Sequence, residues 1–162
     1  MATITLDKIT PCLWFDQDGE KAARFYCSLF DDSEILNISY YSEAGPRPAG
    51  EVLTVEFRLA GQTFMALNGG PHYRPSPAMS FFVSCENQAE VDRLWETILE
   101  QGGEVQQCGW ITDQFGFSWQ IVPVELGQML QDPDPQRATR VMKAMLKMVK
   151  LDLAELRRAY EG

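Results

Sequence analysis

The feature that most constrains this fold is a hairpin pattern at residues 107–123, which read QCGWITDQFGFSWQIVP. Apolar and aromatic residues flank a turn at 113–116, where Gly116 can adopt the positive φ that a tight hairpin needs. A weaker copy of the pattern, LAGQTFMAL, occupies residues 59–67. Two copies of one unit predict a duplicated fold with a cavity.

The first copy combines a helical pattern with several extended ones. A helix is predicted over residues 20–30, because apolar side chains recur there at helical spacing. Runs of apolar residues, alternating with polar ones at 52–59, predict strands at residues 9–15, 35–41, 52–59 and 63–67. The loop at 42–50 is rich in glycine and proline, and we predict that it is a mobile element beside a pocket.

The second copy repeats this order. Its helix is predicted over residues 88–99, and Gly102 and Gly103 end it. The same patterns predict strands at residues 79–85, 105–112 and 117–122. A fourth strand in this copy is either short or missing.

The composition changes after Pro123, where helical patterns replace extended ones. Residues 132–135 read DPDP, which is typical of a helix start, and an amphipathic helix is predicted over 137–150. Asp152 and Glu155 have the spacing of a capping box for a last helix. These helices are apolar enough that we expect them to cover the main domain or a partner subunit. Packing is also the expected role of their methionines: Met142, Met145 and Met148.

Net charge narrows the classes of partner. The formal charge is −9, which argues against binding to a phosphate backbone. The sequence does not show the basic segment followed by an apolar run that is typical of a secretion signal. No apolar run approaches the roughly 20 residues that are needed to span a bilayer. The expectation is a soluble, cytoplasmic protein. Its four cysteines form no C-x-x-C pair, so reduced and mostly buried thiols are expected at Cys12, Cys27, Cys85 and Cys108.

Several short motifs lie on these patterns. They read ITPCLWF at 9–15, LTVEF at 53–57, FMALNGGP at 64–71, GW at 109–110, FSWQIVP at 117–123, DPDP at 132–135 and RVM at 140–142. Together with the duplicated βαβββ order, they resemble the vicinal oxygen chelate superfamily, which includes glyoxalase I and fosfomycin-resistance proteins. They look most like its PhnB-like branch, whose members are often labelled 3-demethylubiquinone-9 3-methyltransferase-like.

The resemblance implies an α+β fold with two βαβββ-type modules whose sheets curl into a cupped half-barrel. It implies a glyoxalase-like domain at residues 1–124, with modules at 5–70 and 76–124, followed by a helical extension at 125–162. Members of the superfamily commonly form homodimers. The metal-dependent members place their ligands on the first and last strands of each module.

The residues at those ligand positions argue against a metal here. By strand position they are Thr10, Met65, Ala78 or Ser80, and Gln120. Divalent metals of this class prefer imidazole nitrogen or carboxylate oxygen, and only the Gln120 carbonyl is a plausible ligand. We therefore predict no metal and no other cofactor.

The methyltransferase label also finds little support in the residues. A common S-adenosylmethionine site needs a glycine-rich turn between a strand and a helix. The glycine-rich run at 68–71 leads instead to Pro71 and Pro75. We expect no methyltransferase activity.

Strand alternation predicts which side chains line the cup. If Leu13 and Phe15 face the helix, the opposite face carries every second residue of the same strands. The predicted substrate-binding set is Thr10, Cys12, Trp14, Glu56, Met65, Ser80, Phe82, Ser118 and Gln120.

Two of the chain's ionisable residues are candidates for acid–base chemistry. Glu56 is a possible base inside the cup; alternatively, it is an exposed residue paired with Arg58 or a neighbouring strand. His72, the only histidine, is a possible acid or base at the rim, or a solvated loop residue. Cys12 as a nucleophile would need an activating base, and a packed thiol is the alternative.

The leading functional hypothesis is that the cup binds a small organic molecule without metal, with its activity unknown. One alternative is a metal-dependent lyase, isomerase or dioxygenase. Another is a structural homodimer whose cup is filled by its own side chains, Trp14, Phe82 and Trp119.

Overall fold

The computed structural model describes residues 6–162 and divides into two compact units, one ending at Arg74 and the other spanning Pro75–Gly162. The start of the predicted domain at residue 1, and of its first module at residue 5, lies outside the described residues. The boundary between a domain at 1–124 and an extension at 125–162 stays a prediction.

The first unit is a four-stranded sheet covered on one face by a helix. The strand order is β1-β4-β3-β2, with β1 parallel to β4 and the other pairs antiparallel. The elements are β1 (Cys12–Phe15), α1 (Gly19–Leu29), β2 (Glu34–Tyr40), β3 (Val52–Leu59) and β4 (Gln62–Asn68).

Alternation along β3 sends Val55 and Phe57 into the core, where both are fully buried. The ring of Phe57 lies 6.5 Å from that of Tyr26 on α1, so the helix packs on this face. The sequence prediction for β3 is confirmed at both of its ends.

The first strand is shorter than predicted, because β1 begins at Cys12 rather than at residue 9. Pro11 has no N–H to donate to a sheet, and the Thr10 hydroxyl donates to the Asp7 carbonyl at 2.8 Å in a local turn. Ile9 is 84% exposed, which confirms that the chain has not yet entered the core there.

The second unit repeats the βαβββ order. Its strand order, β5-β8-β7-β6, matches that of the first unit position by position, again with a parallel outer pair. The elements are β5 (Ser80–Cys85), α2 (Gln88–Glu100), β6 (Glu104–Val105), β7 (Trp110–Thr112) and β8 (Ser118–Pro123).

The predicted strand at 105–112 is wrong in one respect, because it is two strands with a break between them. Cys108 and Gly109 both have positive φ, at 57° and 83°, which no extended strand allows. Their N–H groups donate to the carbonyls of Met148 and Val149 at 2.9 and 2.8 Å. The N–H groups of Cys108 and Gly109 therefore bond to the C-terminal segment instead of to a neighbouring strand. The fourth strand, which was expected to be short or missing, is the two-residue β6.

Three further helices follow, and they pack within the second unit. They are α3 (Val124–Leu130), α4 (Pro135–Met145) and α5 (Leu153–Glu161), so the helix predicted to run to residue 150 ends five residues earlier. Met145 and Met148 pack on their shared core, whereas Met142 is 40% exposed. That core consists of Val122, Leu126, Met129, Val141, Leu151, Leu153 and Leu156.

Gln88, the first residue of α2, connects the C-terminal segment to that helix. Its amide nitrogen donates to the Leu151 carbonyl at 3.0 Å, and its amide oxygen accepts from the Leu153 N–H at 2.8 Å. Nearby, the Lys150 ammonium lies 2.8 Å from the Asp92 carboxylate. The extension therefore covers its own second module.

The hairpin formed by β7 and β8 is held together by the buried carboxylate of Asp113 in its turn. One oxygen accepts from the N–H groups of Phe115 and Phe117 at 2.9 and 3.0 Å, and the other accepts from the Trp119 indole at 2.9 Å. Gly116 has φ of 93°, which confirms the turn conformation expected from the sequence.

We expect Asp113→Ala to lower the free energy of unfolding by about 3 kcal/mol, because three donors lose a buried charged acceptor. Urea denaturation followed by tryptophan fluorescence measures this loss. Asp31→Ala, at an exposed turn position, is the matched control and should change stability by less than about 0.5 kcal/mol. Equal losses in the two variants would contradict the role given to Asp113.

Acid should weaken the contacts of the C-terminal helices with one another and with α2. Hydrogen bonds from Lys150, Arg157 and Tyr160 lower the pKa values of Asp92, Glu125 and Asp132, respectively. Because the folded pKa values lie below the unfolded ones, this stabilisation is complete above an ordinary carboxyl pKa of about 4 and is lost as pH falls through the folded values.

The measurement is the urea midpoint between pH 6 and pH 2 for the natural chain and for the variant with Asp92→Asn, Glu125→Gln and Asp132→Asn. Over this range, the urea concentration at the unfolding midpoint should fall further for the natural chain than for the triple variant. Parallel curves for the two proteins would show that these carboxylates do not supply the acid sensitivity.

Candidate functional site

The face of the first sheet opposite α1 brings together several of the predicted site residues. Cys12 is the ladder partner of Met65, Met65 is the partner of Glu56, and Glu56 is the partner of Asn37. These residues form one row across four strands. We call this surface the helix-free face of the first sheet, and define it by Cys12, Trp14, Thr54, Glu56, Met65 and Leu67.

Glu56 is a half-buried carboxylate in the middle of that row. Its side chain makes no hydrogen bond or ion pair with any residue between 6 and 162. The alternative of a pair with Arg58 is wrong, because the Arg58 guanidinium binds Asp32 at 3.1 Å and Glu34 at 2.9 Å. Glu56 is thus left with acceptor capacity that the described chain does not use.

Trp14 is held rigidly on the same face, one row further along the strands. Its indole N–H donates to the Gly70 carbonyl at 2.9 Å, and the Tyr73 ring meets it edge-on with centroids 4.9 Å apart. A Cβ on Gly69 would lie only 2.3 Å from the Trp14 ring, so the ring occupies space that any other residue would fill.

Cys12 is an exposed thiol at the edge of the row. Desolvation raises its pKa above the ordinary value, which favours the protonated thiol over the nucleophilic thiolate. No side chain among the described residues hydrogen-bonds to it. Its chemistry on this surface is that of a small, polarisable apolar group.

The second sheet brings together the other half of the predicted set. Ser80 is the ladder partner of Ser118, and Phe82 is the partner of Gln120. The Gln120 amide nitrogen donates to the Ser80 hydroxyl at 2.9 Å, whereas Phe82 is 60% exposed and Ser118 is buried.

The tryptophan of β8 has a different orientation from these residues. Trp119 is buried on the opposite face of the second sheet, with its ring 4.5 Å from that of Phe81. It alternates with Ser118 and Gln120 and so does not share their face. Trp119 therefore cannot fill a cup lined by the predicted residues.

Two predicted residues lie outside these rows. Thr10 precedes β1, and its hydroxyl is engaged in the local turn. His72 is exposed in the turn after β4, without a hydrogen-bond partner among residues 6–162. The structure places neither beside Glu56 on a strand.

Sequence reasoning missed a cleft of about 600 Å³ between α1 and the loop that precedes β3. Its lining includes Arg24 and Arg47, and their guanidinium groups pair with Glu20 at 2.9 Å and Glu51 at 3.0 Å. The predicted loop at 42–50 does border this cleft. Both guanidinium groups are therefore already paired, whereas the Lys21 ammonium, which also lines the cleft, makes no ion pair with a described residue.

Asn68 lies at the floor of that cleft and was not predicted as a structural residue. Its side-chain oxygen accepts from the Gly19 N–H at 2.8 Å, and its nitrogen donates to the Val52 carbonyl at 3.2 Å. A Cβ on Gly19 would lie 2.7 Å from that oxygen. The only sequence signal was a polar residue ending an apolar strand.

The described side chains do not fit a superfamily metal. Between residues 6 and 162, no group of three or more His, Cys, Asp or Glu side chains could hold an ion. The ladder register places Met65 between Cys12 and Glu56, and a thioether is a poor ligand for the hard metals concerned. No helix in the same part of the chain is both long and apolar enough to cross a membrane.

The model of the 3-demethylubiquinone-9 3-methyltransferase family matches residues 7–122. The chain belongs to this family. It is 38% identical to a putative 3-demethylubiquinone-9 3-methyltransferase, PhnB protein, from Bacillus cereus, covering 70% of this chain and 96% of that one at a TM-score of 0.63. The PA1353 protein from Pseudomonas aeruginosa shares the fold at 22% identity, covering 68% and 92% of the two chains at a TM-score of 0.56. A comparison with curated proteins finds no match.

The family match and the similarity to a PhnB protein confirm the PhnB-like assignment that the strand motifs predicted. The α+β class with two βαβββ modules is also confirmed. The methyltransferase in the name is the family's, and the local backbone lacks the usual adenosylmethionine turn. β4 ends at Asn68, and the next helix along the described chain does not begin until Gln88.

We expect Gly69→Ala to displace the Trp14 indole while leaving the sheet intact, because the new methyl group overlaps the ring and not the backbone. The indole N–H signal of Trp14 should shift in a two-dimensional ¹H–¹⁵N spectrum. The tryptophan emission should move to longer wavelength, because the displaced ring is more exposed to solvent. Gly127→Ala is the control, since a Cβ there has nothing within 4 Å. An unchanged Trp14 signal in Gly69→Ala would contradict the packing described.

Proposed function

We propose that this chain binds a small organic molecule on the helix-free face of its first sheet, without a metal ion. The observation that carries the proposal is the unpaired, half-buried Glu56 carboxylate in a row with Met65 and Cys12. A mixed wall of aromatic, apolar and a few polar groups is typical of small-molecule sites. Trp14 provides a fixed aromatic surface beside that row.

The corresponding face of the second sheet has the same character. Phe82 offers exposed apolar area, and the paired Ser80 and Gln120 offer polar contacts beside it. We propose that this face, considered within its own unit, also binds a small organic molecule. Any proton transfer would fall to Glu56, because it is the carboxylate on the proposed surface, with His72 as the weaker candidate.

Two other functions are less well supported. A metal-dependent enzyme would need ligands that the row of Cys12, Met65 and Glu56 does not supply. A purely structural homodimer would bury Glu56 without a counter-charge in its packed face, which costs free energy. We nevertheless propose that the protein is a homodimer in the cytoplasm, as is common in the superfamily.

The test combines metal analysis with a thermal-shift screen of the purified chain against metabolites, divalent metals and S-adenosylmethionine. We expect less than about 0.1 metal ion per chain and a rise in Tm with at least one class of metabolite, because a ligand that binds only the folded state stabilises it. Stoichiometric zinc, nickel, manganese or iron would favour the metal-dependent enzyme. Stabilisation by S-adenosylmethionine alone would favour a methyltransferase.

A further inference from the structure

We propose that the ligand of the helix-free face is an organic cation, an amine or quaternary ammonium group joined to an apolar body. This inference rests on the proposed function and adds the chemical class of its ligand. It starts from the charge that the face carries and follows the side chains that surround it.

Glu56 is the charge to be neutralised. Its carboxylate is half-buried and has no partner in residues 6–162, and a partly desolvated anion without a counter-charge is unfavourable. Arg58, two residues along the same strand face, is committed to Asp32 and Glu34. Asn37, the ladder partner on the other side, is uncharged. A cation supplied by the ligand is therefore the group that completes this site.

An apolar path leads from Glu56 toward the edge of the sheet. Met65 is the direct ladder partner of Glu56, and Leu67 is the partner of both Thr54 and Trp14. With strands about 4.8 Å apart and a rise of about 3.3 Å per residue, the Cα atoms of Glu56 and Trp14 are roughly 12 Å apart. A ligand with a cationic head and a short apolar body spans this distance.

Trp14 provides the far end of the path. Its indole is fixed by the hydrogen bond to the Gly70 carbonyl and by the edge of Tyr73, so little order is lost when a flat or alkyl group stacks on it. The same ring attracts cations through its π face. Both ends of the site therefore favour a positively charged amphiphile.

The charge of the whole chain acts in the same direction. There are 23 acidic residues and 14 basic ones, which gives a net charge of −9. Such a protein attracts small cations and repels anions over distances comparable to the Debye length. A carboxylate ligand on this face would be repelled both by the overall negative charge and by the Glu56 carboxylate.

The test uses three probes of similar length with the purified full chain: 3-phenylpropylamine, 3-phenylpropan-1-ol and 3-phenylpropanoate. Binding is followed in ¹H–¹⁵N spectra at the Trp14 indole signal, which is assigned by Trp14→Phe. We expect the amine to bind about tenfold or more tightly than the alcohol, and the carboxylate to bind least.

Charge-matched variants identify the anchor. Glu56→Gln should remove the preference for the amine over the alcohol, whereas Glu56→Asp should retain part of it. Glu96→Gln changes the net charge by the same amount at an exposed position on α2 and should keep the full preference. An unchanged spectrum outside the first sheet checks that each variant is folded.

Equal binding of amine and alcohol to the natural chain would overturn the cationic class while leaving small-molecule binding on this face intact. A preference that survives in Glu56→Gln, or is lost equally in Glu96→Gln, would overturn the role of Glu56. If no probe shifts the Trp14 signal, the cationic class is wrong, and the metabolite screen decides the broader proposal separately.

Discussion

In each unit one helix covers one face of a four-stranded sheet, and strand alternation then forces every second side chain onto the other face. On β3 this constraint places Val55 and Phe57 against α1, and it leaves Glu56 on the far side. The candidate site is a consequence of core packing: a one-residue change of register would bury the carboxylate and expose the core.

The two units differ in what covers the end of the sheet. In the second, the C-terminal helices add their own apolar core around Val122, and the Gln88 amide joins them to α2. In the first, Asn68 ties the start of α1 to β3, and a cleft remains beside it. The two units thus share one strand order and differ in the contacts that surround it.

Much of this architecture was accessible from sequence periodicity. The bounds of β3 and the turn at Gly116 were predicted, and the resemblance to the PhnB-like family was confirmed by the family match. The break at Cys108 and Gly109 was not predictable, because it depends on hydrogen bonds to carbonyls about 40 residues away in the chain. Alternation placed Glu56 on the correct face, but it could not show that Arg58 would bind Asp32 and Glu34 instead.

The sequence by itself determined the order of strands and helices in the first unit, the alternation of Val55, Glu56 and Phe57 between the two faces of β3, and the family. These follow from local periodicity and turn chemistry, which depend on neighbours a few residues apart. Only the tertiary structure decided that the Glu56 carboxylate has no partner, that Trp14 fits against Gly69, and that the C-terminal helices pack on their own module. Those outcomes depend on groups far apart in the chain, whose meeting is set by packing rather than by local pattern.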